Sequence, residues 1–338
     1  MATYAGIDLH SNNIFLGIIG RDHKRLFNKR LPNKLSVIKK ALQPFKKALA
    51  GIAVESTFNW YWLVDGLQEA GYKMHLANPS AIKQYEGIKH RDDKSDALWL
   101  AQMLMLRILP EGYIYPKDQR PTRDLLRRRL LYVQQRTAHI LSLQSMVRRN
   151  NGDTISTRTI KKLEPEAAHT LFDQEHLSLA CSHALATIHF LSSQIKSIEK
   201  EIMKHTKIKP EFAYLQTMPG IGNILGLTIM LEVGDIRRFP RAGNYASYCR
   251  CVKSEKLSNE KKKGSGNRKN GNKYLAWAYV EAAHFALRFH PKARRFYDRK
   301  ASRTNNTVAR KALANKMARA SYYIMRDQVA YDESKMFS

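Results

Sequence analysis

Four acidic residues stand where phosphodiester chemistry would need them. Asp8 closes the apolar run Tyr4-Ala-Gly-Ile-Asp8, and Glu55 closes Gly51-Ile-Ala-Val-Glu55. Asp93 and Asp96 lie three apart at the start of an apolar-faced helix, so both can address one point from a single turn. Breaking a phosphodiester requires charge neutralised at the phosphate and a nucleophile positioned or activated. Two Mg²⁺ ions about 4 Å apart can do both. Mg²⁺ takes oxygen ligands and keeps several waters, so three or four carboxylates suffice. N-capping alone would account for Asp92 and Asp93. It does not account for Asp8, because an acid ending an apolar strand is unusual without a partner.

A second constellation lies far down the chain. Residues 261–273 carry Lys261, Lys262, Lys263, Arg268, Lys269 and Lys273 and no acid, interspersed with glycine and asparagine. A backbone this open and this cationic can cradle phosphates. Ser258 opens the loop, where a hydroxyl could attack a phosphate under cationic stabilisation. Spacing alone gives Ser258 no advantage over any other loop serine. Upstream, Met218-Pro-Gly-Ile-Gly222 has the pattern of a helix-hairpin-helix turn, in which Gly220 and Gly222 would let backbone N–H groups approach a phosphate. A plain helix–helix turn is the simpler alternative.

The elements that must position these groups can be read from periodicity. Residues 1–105 alternate strand and helix. Strands are expected at 4–8, 13–19 and 25–31, and a helix over 35–50 with Leu35, Ile38, Leu42, Phe45 and Leu49 on one face. A strand at 51–55, a helix at 60–70, a strand at 73–77 and a helix at 95–106 complete the order β-β-β-α-β-α-β-α. That is the order of an α/β, RNase H/RuvC-like domain. From Cys181 the apolar positions 181, 184, 188, 191, 195, 198 and 202 form a heptad seam. A weaker seam runs through Leu126, Leu130, Val133, Ile140 and Val147, with a break at Asn150-Asn151-Gly152. Two long helices follow from this, as an intramolecular hairpin or as a dimerising coiled coil. Beyond residue 215 the chain reads as mainly helical, with helices near 274–289 and 306–328. Three regions are expected: 1–110 carrying the acids, 111–208 a helical linker and oligomerisation segment, and 209–338 carrying the turn and the serine loop.

Composition narrows the partner. The net charge is +29, and residues 250–338 hold 22 basic and 7 acidic side chains, about half of the excess. A field of this size calls for a polyanion, so nucleic acid leads. No apolar run is long enough to span a bilayer. Cys181, Cys249 and Cys251 make no disulfide framework or zinc spacing. With no leader-like start, they point to the cytoplasm.

The chain also resembles a known family, the insertion-sequence transposases with an acidic-tetrad (DEDD) catalytic domain, the "one-ten" family. The resemblance is carried by Tyr4-Ala-Gly-Ile-Asp8, Val54-Glu55-Ser56-Thr57, Asn78-Pro79 and Asp93-Lys-Ser-Asp96-Ala97. It continues in Pro219-Gly-Ile-Gly222 and in Ser258…Gly264…Lys269-Asn-Gly-Asn272-Lys-Tyr-Leu275. It implies a RuvC-like domain whose tetrad maps onto Asp8, Glu55, Asp93 and Asp96, holding two Mg²⁺ ions. Threonine is common where Asp92 stands, so Asp92 falls outside that set. The family serine maps onto Ser258, although Asn259 stands where glycine usually follows, and Ser254 and Ser265 remain alternatives. In the family this serine is the nucleophile and joins transiently to a DNA phosphate. A partner subunit's tetrad completes the site. The resemblance therefore implies double-stranded donor and target DNA, a homo-oligomer (dimer or tetramer) and, in some members, a structured guide (bridge) RNA. The competing enzyme is a RuvC-like metal-dependent nuclease, such as a junction resolvase, attacking with water. A non-catalytic nucleic-acid-binding protein would explain the charge but not the acids at strand ends.

Overall fold

The computed structural model describes residues 1–82, 93–205, 210–252, 256–258, 261–264 and 270–337. It divides into two compact units, Met1–Lys117 with Lys256–Asn270, and Asp118–Glu255 with Gly271–Ser338.

The first unit is a five-stranded mixed sheet with helices. Strands β1 (Thr3–Leu9), β2 (Asn13–Gly20) and β3 (Arg25–Pro32) form an antiparallel meander. Helix α1 (Leu35–Leu42) leads to β4 (Leu49–Glu55), which pairs parallel with β1. Helix α2 (Tyr61–Glu69) leads to β5 (Met74–Ala77), parallel with β4. The strand order is β3-β2-β1-β4-β5, an RNase H-like frame. Helix α3 (Asp93–Met105) follows. The helix expected over 35–50 is shorter. Pro44 lacks the N–H that would continue the ladder, so the chain tightens into a 3₁₀ turn at Gln43–Phe45. Leu49 already belongs to β4.

Side chains alternate along each strand, so the sheet has two apolar faces. Ala5, Ile7, Ile52 and Val54 join one core with Ile38 and Leu42 of α1 and Leu63, Val64 and Leu67 of α2. Ala53 and Ala77 pack on the other face, against Leu100, Met103 and Leu104 of α3. The seat for α3 is made by two glycines that are direct partners across β1 and β2, Gly6 and Gly17. A Cβ on Gly6 would overlap the carbonyl oxygen of Ala97 and stand 2.7 Å from the amide nitrogen of Ala101. One on Gly17 would stand 2.9 Å from a Leu98 methyl. The helix backbone thus rests on the sheet backbone with no side chain between them.

The second unit is helical. Helices α4 (Arg120–Asn151) and α6 (Glu175–His205) pack along one another, joined through the short α5 (Thr157–Ile160) and a 3₁₀ turn at Pro165–Thr170. Gly152 ends α4 in the left-handed region at φ 75°, where the sequence placed the break. Of the two forms left open by the heptads, the helices make the intramolecular hairpin. Its seam uses Leu126, Leu130, Ile140, Leu143 and Val147 on α4, and Cys181, Leu185, Ile188, Leu191, Ile195 and Ile202 on α6. On α6 Leu185 is buried while the neighbouring Ala184 is only half-buried; on α4 Val133 is half-buried and Leu143, which the expected seam omitted, is buried.

Helices α7 (Pro210–Gln216), α8 (Asn223–Val233), α9 (Ala242–Tyr248), α10 (Lys273–Phe289), α11 (Pro291–Arg303), α12 (Asn306–Asp327) and α13 (Glu333–Phe337) enclose the largest core. Small residues of α10 (Ala278, Ala282, Ala283, Ala286) let it approach its neighbours closely. Two buried tyrosines satisfy each other there, Tyr245 Oη and Tyr279 Oη lying 2.6 Å apart. Cys249 is buried, and burial pushes its thiol well up and that of Cys251 to about 12. All three cysteines are free thiols, held protonated rather than as metal-binding thiolates. Between α9 and α10 the chain forms a two-stranded ribbon, β6 (Lys256–Ser258) and β7 (Lys261–Gly264). Among the described residues, no helix is long and apolar enough to cross a membrane.

Gly6→Ala should lower the unfolding free energy by about 1–3 kcal/mol, the usual cost of forcing a methyl into a packed core. Urea unfolding of the purified chain checks this. Gly112→Ala is the control, since a Cβ there meets only ordinary contacts at 3.4 Å and beyond.

Candidate functional site

The acids gather where β1 and β4 end. Ile7 and Val54 are register partners in the parallel pair, which sets Asp8 beside Glu55 on neighbouring strands. Both share strand parity with Gly6 and Ala53, so both lie on the face that carries α3. Contact at Ala97 brings the first turn of α3, and with it Asp96, to the same end of the sheet. Asp8 is buried and Glu55 half-buried. The Glu55 carboxyl is held above the usual glutamate range, first by its own burial, then by the negative charge of Asp8 and of Asp96; His10 pulls in the opposite direction. Three of the four expected acids therefore share one electrostatic site. The Asp93 backbone opens α3, and its side chain lies outside the described residues, as does Asp92.

A histidine completes the cluster. His10 Nε2 stands 3.1 Å from Asp8 Oδ2. The His10 ring meets Phe15 edge-on at 6.2 Å. Its carbonyl accepts hydrogen bonds from Asn59 Nδ2 at 2.9 Å and Asn33 Nδ2 at 3.0 Å. Thr57 Oγ1 in turn donates to Asn59 Oδ1 at 2.9 Å. The loops after β1, β3 and β4 are thus tied together through one backbone oxygen. His10 lies in the polar turn between β1 and β2. Its position two residues after Asp8, on the same strand face, was the signal available. Asn33 and Asn59 gave none, because they reach the site only through the fold.

The donor set suits a hard cation. Burial raises the Glu55 carboxyl and the charges of Asp8 and Asp96 add to it; a divalent ion would relieve the repulsion among these carboxylates. Among the described residues, no three His, Cys, Asp or Glu side chains stand close enough to hold a metal ion as they are.

The remaining predicted residues fall elsewhere. The Ser258 backbone ends β6 and pairs with Lys261 of β7; its side chain lies outside the described residues, as do the side chain of Lys262 and all of Ser254, Ser265, Arg268 and Lys269. Lys261, Lys263 and Lys273 are exposed. Gly220 and Gly222 have different roles. Gly220 has φ +88°, and a Cβ there would strike the α10 backbone at Ala282 and Ala286, so packing alone demands glycine. Gly222 caps α8 with open space around it, leaving the helix N-terminus accessible. Asn272 caps α10, its Oδ1 accepting from the Tyr274 and Leu275 amides at 2.8 and 3.1 Å. Its Nδ2 donates to buried Glu232 at 2.7 Å. Glu232 also binds Arg127 through two hydrogen bonds at 2.6 and 2.7 Å.

Comparison with known proteins bears on both parts of this arrangement. A family model described as "Transposase" of the DEDD type for IS110 matches residues 5–151, spanning all four acids. A second, "Transposase IS116/IS110/IS902 family", matches residues 213–298, spanning the Pro-Gly-Ile-Gly turn, Ser258 and α10. The chain belongs to the IS110/IS116/IS902 family. The transposase for insertion sequence element IS1328 of Yersinia enterocolitica is 22% identical over 95% of this chain and 96% of its own length. The transposase for insertion sequence element IS1111A of Coxiella burnetii is 24% identical over 81% of this chain and 76% of its own. A 43.6 kDa protein of insertion element IS110 from Streptomyces coelicolor is 30% identical over 47% of this chain; the match spans 38% of that protein. The DEDD-type domain of this family implies metal dependence.

The raised Glu55 gives a pH test. A carboxyl that binds its proton more tightly when folded contributes stability below the ordinary glutamate pKa, and that contribution is lost as pH rises through the raised value. In EDTA, Glu55→Gln should melt increasingly above the unmodified protein as pH climbs from 4.5 to 7. A melting difference that stays constant over this range would rule out the repulsion.

Proposed function

We propose that this chain is a DNA transposase and site-specific recombinase of an insertion sequence. It cuts and rejoins strands at a metal-dependent site built on Asp8, Glu55, Asp93 and Asp96. The observation that carries the reading is the convergence of Asp8, Glu55 and Asp96 at one sheet end, with mutual repulsion registered on Glu55. Membership of a transposase family supports the reaction class. We assign three working regions: 1–110 catalytic, 111–208 a helical linker and oligomerisation segment, and 209–338 the transposase domain.

The acidic residues would hold two Mg²⁺ ions, which supply neutralisation of the phosphate and of the leaving oxygen. The protein's own contribution begins with orientation. His10 and the β1 backbone fix the Asp8 carboxylate, while the α3 seat fixes Asp96. Ser258 Oγ attacks phosphorus; as the Ser–O–P bond forms, the P–O3′ bond breaks. The hydroxyl proton is released and the 3′ oxygen takes up a proton. The phosphoserine ester conserves the linkage energy, so a second 3′ hydroxyl can reverse the step on another strand. The acids that complete the site with this serine would come from a further copy of the chain. Lys261, Lys262, Lys263, Arg268, Lys269 and Lys273, with the open N-terminus at Gly222, would bind phosphates and position DNA. Gly220 serves the same turn through its packing. The partners are double-stranded donor and target DNA, a structured guide RNA and further copies of this chain. The location is the bacterial cytoplasm, at the nucleoid.

The serine separates this reading from a water-using nuclease. With Mg²⁺ and a cognate element end, Asp8→Asn and Asp96→Asn should each reduce strand cleavage at least about a hundredfold, the scale expected when charge stabilisation at the transition state is removed. Ser258→Ala should abolish the covalent protein–DNA adduct seen on denaturing gels. Full cleavage by Ser258→Ala would favour the nuclease; full cleavage by Asp8→Asn would remove the metal site. Sequencing the nucleic acid that co-purifies with the chain tests the RNA, which should come from one end of its own element.

A further inference from the structure

The helical unit contains a groove of about 540 Å³ between α4 and α10, of whose lining the reading above gives a role to Lys273 alone. Arg127, Arg128 and Leu131 line it from α4, and Lys273, Tyr274 and Trp277 from the first turn of α10. The helices place these residues together by spacing. Arg127 and Leu131 are four apart, and Tyr274 and Trp277 three apart, so each pair shares a face.

The floor is rigid. Arg127 is clamped by two hydrogen bonds, at 2.6 and 2.7 Å, to Glu232, which is 3% exposed. The Arg127 guanidinium lies 4.5 Å from the centre of the Tyr274 ring, covering one of its faces. Asn272 joins the same Glu232 to the start of α10. The acid in the lining, Asp124, is paired with Arg123 and Arg127 at 3.7 and 3.9 Å. The mouth differs from the floor. Arg128 and Lys273 are exposed, Trp277 is partly exposed, and Leu131 is exposed at 39%.

An apolar, aromatic wall under a cationic rim is a surface for a flat aromatic ring carrying negative charge. We propose that this groove takes an unpaired nucleotide, its base against Trp277 and Leu131 and its phosphate toward Arg128 and Lys273. Aromatic side chains stack on any base, so recognition is of an unpaired strand rather than of a sequence. The volume suits one nucleotide, within the range of about 300–1,000 Å³ usual for small-ligand pockets. A duplex keeps its bases stacked and would present only phosphates here. An unpaired nucleotide can come from a displaced DNA strand or from a single-stranded stretch of RNA, and the two share this chemistry. The inference rests on the reading that the chain works on nucleic acid.

The test is fluorescence anisotropy of the full chain with labelled 12-nucleotide dT and rU homopolymers and a 12-base-pair duplex. Trp277→Ala should weaken single-strand binding at least about tenfold, the scale of one lost base stack, and Trp277→Phe should restore most of it. Duplex affinity should change less than about twofold. Arg128→Glu, an exposed change that spares the core, should weaken single-strand binding about threefold or more, and it decides the matter if Trp277→Ala does not fold. A preference for rU identifies RNA as the source of the nucleotide, and a preference for dT a DNA strand. Unchanged single-strand affinity in the folded variants, or equal losses for duplex and single strand, would overturn the inference alone. Failure of the unmodified chain to bind either form would overturn the functional reading with it.

Discussion

The candidate site depends on a close approach of backbones. Gly6 and Gly17 face each other across β1 and β2, and the absence of both side chains lets α3 rest directly on the sheet. A side chain at either position would lift the helix by roughly a methyl radius, and protein cores do not absorb such shifts for free. Asp96 sits one residue before Ala97, the point of closest approach. The distance between the helix acid and the strand acids is therefore set by the same contact that packs the core. Stability and chemistry are coupled here through one pair of glycines.

Electrostatics works against the cluster. Asp8, Glu55 and Asp96 repel one another, and Glu55 registers that cost. The chain as a whole carries +29, so the acids form a small negative site within a strongly positive protein. That combination suits a polyanionic substrate. On the proposed function, long-range attraction would draw in nucleic acid, and the local excess of carboxylate would be available to divalent cations. His10, held by two asparagines from other loops, offsets part of the repulsion and fixes the orientation of Asp8.

The helical unit relies on a different kind of fixed point. Glu232 is buried and would be costly without partners. Two hydrogen bonds from Arg127 and one from Asn272 satisfy it. Because Asn272 also caps α10, this network ties α4, α8 and the start of α10 into one rigid corner.

Much of this was legible in the sequence because it depends on local periodicity. Acids closing apolar strands, period-two alternation and heptad spacing identified the RNase H-like order, the strand-end positions of Asp8 and Glu55, and the two long helices. Periodicity describes faces and does not describe partners. Whether the heptads pair within the chain was decided by the tertiary structure, as was the choice of Leu185 over Ala184, since which side chain reaches a seam depends on the surface opposite. Pro44 shortened the first helix by a backbone constraint that a pattern of apolar residues does not register. Gly6, Gly17 and Gly220 look alike in sequence to any turn glycine; only the opposing helix shows that each is required by contact. His10 and Asn59 lie 49 residues apart and meet through a backbone oxygen. The sequence by itself determined the order of the elements and which residue types stand at the strand ends. The tertiary structure decided which of those groups stand together, because that follows from long-range packing that no local spacing encodes.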